Sequence, residues 1–417
     1  MGGEEVERMK GKHLLVDTKQ STWQLTAIQL AGWTSMPILA TSILILQKNS
    51  LLGAALTIVV GNALLWFIRL AVVFMSHDKR QSTLDLAREY FGKVGSFVIA
   101  VLLLVSTFVW FLTQTTAASN SLTHLITLQE SPEINQFVQV SVVVGLASTL
   151  LCMEGMVLLR WLSVLVFPVL VGLFCVIFWL VPHGVVGVER GVSLSGLSLV
   201  LASNLGVTSD MPTFFRHSNS WADSVKALTV VQVVLVVLGL ASLYFGAVFQ
   251  GMFEINAPFI LESGGEVLRV ALILFILLSA ITSNVANVYS GSVGWEIVAP
   301  KQWVGRTEYL MLGLGLTTLF ILFSNLFSLG FLLNVSDLAL VNFCLVLVAG
   351  FLVSRAHGNS PGPLWQGVYF GAWGLATLVN GLDLGLHILS TPLLASVIVV
   401  GGVTAGAFVL DRVFRNS

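Results

Sequence analysis

Apolar runs of 18 or more residues follow one another along almost the whole of this chain, separated by short charged segments. A helix of about 20 apolar residues crosses the hydrocarbon core of a bilayer. In lipid, each backbone N–H and C=O must bond within its own segment. A chain of this pattern folds as an all-α polytopic membrane protein. Composition agrees: 56% of the 417 residues are hydrophobic and 10% are charged, where a soluble domain carries about 25% charged residues. About twelve spans are expected, at roughly 23–46, 51–76, 94–127, 136–157, 160–181, 193–215, 222–250, 264–291, 306–326, 329–353, 364–381 and 386–411. The third is long enough to tilt or to extend beyond the membrane.

Lys and Arg set the expected orientation. With the N-terminus inside, sixteen of them fall on the inner side, including Lys79, Arg80, Arg88, Lys93, Arg216, Arg355 and Arg412; Lys48, Arg190 and Arg269 fall outside. Residues 1–22 and 412–417 then read as cytosolic tails of a multi-pass protein of the inner (cytoplasmic) membrane. The N-terminal residues are charged and have neither the apolar core nor the cleavage site of a signal peptide. The near-neutral net charge of -1 suggests no nucleic-acid partner. No feature calls for a protein partner, so the bilayer is the expected surrounding.

Soluble chemistry finds little support. There is no GxxxxGK[ST], HExxH or GxSxG pattern, and the histidines and Cys152, Cys175 and Cys344 stand at no metal-ligand spacing. Transport is expected, not catalysis. The candidate residues are polar groups placed where lipid should be.

Five clusters qualify. Gly32 to Pro37 interrupts span one, where proline removes a donor and frees carbonyls around Trp33. Ser203, Asn204, Leu205 and Gly206 interrupt span six, followed by Thr208, Ser209, Asp210 and Pro212. Trp110 and Gln114 share a helix face in span three, a flat aromatic beside a bidentate amide, which suits a planar heterocycle. Ser279, Thr282 and Ser283, with Asn284 and Asn287, offer hard oxygen ligands in span eight. Asp337 lies in span ten with Asn334 and Ser336. Each has a plainer reading: a proline kink, core packing, hydroxyls bonded back to their own helix. Arg69, inside span two, has no evident partner in sequence, and a snorkelling or structural role is expected.

Two interrupted helices in corresponding places point to a secondary transporter built from inverted repeats. Spans one and six are five apart. This suggests a five-plus-five fold with helices 1 and 6 discontinuous: a first repeat over 23–181, a second over 193–353, and two further helices over 364–411. T-S-M-P at 34–37 and T-S-D-M-P at 208–212 are spelled almost alike. Counting depth from Arg216 nevertheless places the symmetric break of span six at Ser203 to Gly206, leaving the shared letters to coincidence or to common helix-restart chemistry.

Several short motifs, in order, resemble the nucleobase-cation symporter family in its cytosine-permease branch. They are Val59-Val60-Gly61-Asn62, Ala87-Arg88-Glu89-Tyr90-Phe91-Gly92, Trp110 to Gln114, Asp210 to Arg216, and Thr282-Ser283-Asn284 followed by Tyr289. The resemblance implies the five-plus-five fold and symport of a nucleobase (cytosine, a purine) or a related heterocycle with Na+ or, alternatively, H+. It implies a Na+ site made by the Ala31 and Thr34 carbonyls with Ser279, Thr282 and Ser283. It places Ser35, Trp110, Gln114, Ser203, Asn204 and Asn284 around the substrate. Trp33 would supply a second aromatic wall, Asn287 a further amide, and Asp210 and Asp337 proton or gate carboxylates. The alternatives are a vitamin-precursor transporter, an amino-acid or amine transporter on the same fold, and a channel.

Overall fold

The computed structural model describes residues 19–47, 49–127, 134–181, 194–245, 257–298, 306–323, 329–357, 361–386 and 392–416. Helices occupy the expected spans. Span one is two helices, α1 (Thr22–Trp33) and α2 (Met36–Leu46). Spans two to five are α3 (Leu51–Lys79), α4 (Thr83–Thr127), α5 (Ile134–Cys152) and α6 (Met156–Leu180). Span six is again divided, into α7 (Leu194–Thr208) and α8 (Met211–Phe215). Then come α9 (Trp221–Ser242), α10 (Ala257–Val298), α11 (Arg306–Phe323), α12 (Leu329–His357), α13 (Pro363–Leu386) and α14 (Pro392–Asn416). Among the described residues, seven helices are both long and apolar enough to cross a membrane. Their outward faces carry exposed Leu52, Phe67, Leu165, Trp179 and Val237, while Thr113, Thr115, Ser119, Ser148 and Thr149 are buried. Apolar outside and hydroxyl-rich inside is the arrangement a lipid solvent selects.

Local chemistry sets the helix starts. Ser21 and Gln24 form a capping box on α1. Ser50 caps α3 through the Gly53 N–H at 3.0 Å, and Ser220 caps α9 through the Asp223 N–H at 3.1 Å. The two broken spans restart in the same way. Thr34 and Ser35 leave the helix (ψ 66° and 157°), and α2 begins at Met36 with Pro37 in its first turn. Ser209 and Asp210 form a turn, and α8 begins at Met211 with Pro212 in its first turn. This corrects the expected position of the second break. Ser203 to Gly206 lie inside the continuous helix α7, and the near-identical spellings T-S-M-P and T-S-D-M-P mark both restarts. A depth count cannot see this, because Ser203 and Asn204 satisfy themselves by bonding back to the Val200 carbonyl at 3.2 and 2.9 Å.

Inverted symmetry shows in two further pairs. The third helices of the two halves, α4 and α10, each turn sharply at a glycine with left-handed φ: Gly92 (71°) and Gly265 (58°). The fourth helices, α5 and α11, meet through reciprocal G-L-x-x-T segments, Gly145 to Thr149 and Gly313 to Thr317. A β-carbon at Gly145 would overlap Thr317, and one at Gly313 would overlap Thr149. Each threonine donates its hydroxyl to the glycine carbonyl of its own helix at 2.8 Å, and both its hydroxyl oxygen and its methyl press on the facing glycine.

At one end of the bundle, the segment before α1 is pinned to the loop between α8 and α9. Gln20 N–H donates to His217 O at 2.7 Å, Asn219 N–H to Gln20 O at 3.0 Å, and Thr22 Oγ1 to Asp223 Oδ1 at 2.6 Å. His217 Nε2 accepts from Arg216 Nε at 3.2 Å, which requires a neutral imidazole. Burial first, then Arg216 and Arg80, push its pKa down to about 3. Between that value and the ordinary 6.5 the unfolded chain binds the extra proton, so this corner loses stability as pH falls from 6.5. Thermal unfolding should therefore show a lower Tm at pH 5 than at pH 7, and His217→Gln should flatten that dependence.

Candidate substrate and cation site

The two breaks face one cavity. Its walls come from α1, α4, the α7–α8 turn, α10 and α12, and it encloses about 100 Å3, well above the roughly 10–15 Å3 that one water needs. Trp33, Trp110, Gln114, Asp210, Ser283 and Asn287 all line it. Ser35 stands just behind, with its Oγ accepting from Gln114 Nε2 at 3.1 Å, so the span-one break orients the amide of span three. Ser203, Asn204 and Asn284 are not part of this lining. Asn284 is fully buried and donates to Thr115 Oγ1 at 3.0 Å, bracing α10 on α4. Gln29, Ser106, Thr107 and Ser290 line the cavity although sequence reasoning passed over them. Helical spacing could have found them: Gln29 is one turn from Trp33, Ser106 and Thr107 are one turn from Trp110, and Ser290 is one turn from Asn287.

The proposed cation ligands are brought together in part. The end of α1 lies against the hydroxyls of α10: Thr282 Oγ1 donates to Ala31 O at 3.1 Å, and Ser283 Oγ to Gly32 O at 2.9 Å. Ser279 sits one turn back, with Oγ on Ile276 O and its carbonyl accepting from Thr282 Oγ1 at 3.1 Å. Thr34 is fully buried, and its Oγ1 has no hydrogen-bond partner among the described residues. Carbonyls at a helix C-terminus, two facing hydroxyls and an orphaned buried oxygen are the hard donor set that fits an alkali cation.

Asp210 accepts from Thr213 Oγ1 at 2.9 Å and from Thr83 Oγ1 at 3.4 Å. Thr83 also donates to Ser209 O at 3.0 Å, which ties the start of α4 to the span-six turn. Asp337 belongs to α12, but its side chain lies outside the described residues. Arg69 departs from the snorkelling expectation. It is fully buried, with Nε on Thr208 Oγ1 at 3.0 Å, Nη1 on Gln232 Oε1 at 2.6 Å and Nη2 on Asn204 Oδ1 at 2.9 Å. Its guanidinium lies 4.1 Å from the ring centroid of Trp33. Gln232 in turn donates to Asn62 Oδ1 at 2.6 Å.

No protein-family model and no curated protein sequence matches this chain. Solved structures do. An inward-facing conformation of Mhp1 superposes with a TM-score of 0.68 at 16% identity, over 94% of this chain and 90% of that one. Mhp1, described as a nucleobase-cation-symport-1 family transporter, in a closed conformation with bromovinylhydantoin bound, gives 0.67 at 18% identity, over 92% of each chain. A manganese transporter of Eremococcus coleocola, mutant E129Q, gives 0.59 at 13% identity, over 93% and 92%. One fold thus carries different cargoes, so cargo must be argued from the site. The chain is a multi-pass membrane protein with the five-plus-five inverted-repeat transporter fold shared by these structures, its first and sixth spans broken.

Proposed function

We propose that this protein is a cation-coupled symporter of a nucleobase or a closely related small heterocycle, working by alternating access. The observation that carries the reading is the shared wall of Trp110 and Gln114, one helical turn apart on the cavity that both helix breaks face. Trp110 offers a stacking face, and Gln114, held by Ser35, offers a donor and an acceptor to a ring edge. Asn287 adds a second amide from α10. Mhp1, with bromovinylhydantoin bound, supports a small ring as cargo on this fold.

Na+ is the proposed coupling ion, bound between the carbonyls of Ala31 and Thr34 and the hydroxyls of Ser279, Thr282 and Ser283. It would hold the end of α1 in shape and so preorganise Trp33 and Ser35, coupling ion and substrate affinities reciprocally. Rocking of the repeat at 23–181 against that at 193–353 would then change access. Both termini are assigned to the cytosol and the protein to the cytoplasmic membrane, on the positive-inside asymmetry. Asp210 in the cavity wall favours a second reading, H+ coupling or an amine-bearing cargo.

A thermal-shift screen of the purified protein tests the proposal. Nucleobases, nucleosides, pyrimidine vitamin precursors and amino acids would be compared with and without Na+ at fixed pH. A true ligand at 100 times its Kd adds about 2.7 kcal/mol of stability. The expected hit is a heterocycle whose effect grows with Na+, and Thr282→Ala with Ser283→Ala should remove the Na+ dependence. Stabilisation by amino acids alone would sink the reading.

A further inference from the structure

Arg69 is a full charge in the interior of a membrane protein, and among the described residues no carboxylate pairs with it. Lys79–Glu89 and Arg269–Glu266 are ion pairs, and Arg69 belongs to neither. A buried cation is costly unless something negative faces it. Its hydrogen-bond partners Thr208, Asn204 and Gln232 are neutral. Two of them locate the missing charge. Asn204 and Thr208 form the last turn of α7, and Thr208 is its final residue. On the other side, the guanidinium stacks on Trp33, which is the final residue of α1. Each helix C-terminus carries about half a negative charge. Arg69 thus bridges the last turns of two helices, each of which is negative at that end.

We propose that Arg69 is a tethered counter-cation for the two broken spans. It offsets the negative C-terminal turns of α1 and α7, which its side chain bridges, and through Trp33 it sets the back wall of the substrate cavity. The cavity-wall part rests on the heterocycle reading; the charge part does not. The exchangeable ion proposed at Ala31 and Thr282 serves the end of α1 from the α10 side, whereas the end of α7 holds a cation that never leaves. Arg69 does not line the cavity, so it is a positioning residue. The place it occupies is a site for a small planar monocation once the side chain is cut away.

The test uses full-length protein carrying Arg69→Ala, Arg69→Met or Arg69→Lys, with methylguanidinium chloride as the probe and choline chloride as the ionic-strength control. Two quantities are read: Tm without substrate, and Kd for the heterocycle that stabilises the parent. Loss of the charge in the Ala and Met variants should lower Tm and weaken heterocycle binding at least about tenfold. Methylguanidinium at about 10 mM should raise the Tm of Arg69→Ala and restore its Kd, with no such effect on the parent or on Arg69→Met, whose side chain fills the space. Arg69→Lys should fall between the parent and Arg69→Met. A Met variant with parental Tm and Kd, or an equal response of parent and Arg69→Ala to the probe, overturns the proposal. If Arg69→Ala does not fold, the Lys and Met variants decide: equal Tm values defeat the counter-charge, and a clear advantage for Lys supports it. If no heterocycle stabilises the parent, the heterocycle reading fails by itself while the substrate-free Tm series still judges Arg69.

Discussion

Alanine at position 110 should leave a folded protein that binds the heterocycle about 10–100-fold more weakly, since stacking of one base on an aromatic ring contributes roughly 1–3 kcal/mol. Trp110 is half-buried and turned to the cavity, so its removal enlarges an existing space more than it opens a hole in the core. Gln114 stays in place, because Ser35 holds it from the span-one break. The loss should fall on affinity for planar rings, and Trp110→Phe should recover much of it by restoring a flat face. Isothermal titration on the variants, with Tm as the folding control, reads both effects. A Kd unchanged in a folded Trp110→Ala protein removes the stacking claim and returns Trp110 to packing.

The largest expected loss of stability lies far from the cavity, at the seam of α5 and α11. Gly145→Leu should unfold the protein at a much lower temperature, and Gly313→Leu should do the same. Overpacking a tight contact costs about 1–3 kcal/mol, and more where neither side can yield. Neither side yields here: the opposing atoms are β-branched threonines whose hydroxyls are already bonded to their own helix at 2.8 Å. The reciprocity makes a sharper test. Gly145→Ala should lower Tm, and adding Thr317→Ala should return part of it, because the second change removes the atoms the first one strikes. Strict additivity in that cycle would mean the two residues do not meet, and the inverted packing of the fourth helices would be wrong.

Much of the fold was legible along the chain. Span positions followed from hydropathy. The existence of two broken helices followed from proline and hydroxyls in apolar runs. The position of the second break was misjudged: polarity drew attention to Ser203–Gly206, while the restart signal Met211-Pro212, spelled like Met36-Pro37, marked the turn. Polar residues inside a helix do not by themselves break it, because Ser and Asn can return their bonds to the preceding turn, as both do on Val200. The site was legible by residue type only. Trp110 and Gln114 stood out by spacing, and both line the cavity, yet Asn284, three residues before Asn287 in the same run, faces Thr115 instead.

The sequence by itself determined the class of protein, the number and order of the spans, the presence of two interruptions and a short roster of intramembrane polar groups. These depend on the cost of placing each residue in lipid, and that cost adds up locally along the chain. Only the tertiary structure decided which of those groups face one another. It set Thr282 and Ser283 against the carbonyls of α1, joined Gln114 to Ser35, and placed Arg69 between the last turns of α1 and α7. Such pairings join residues 36 to 251 positions apart. They are fixed by the rotation and packing of whole helices, which no local pattern encodes.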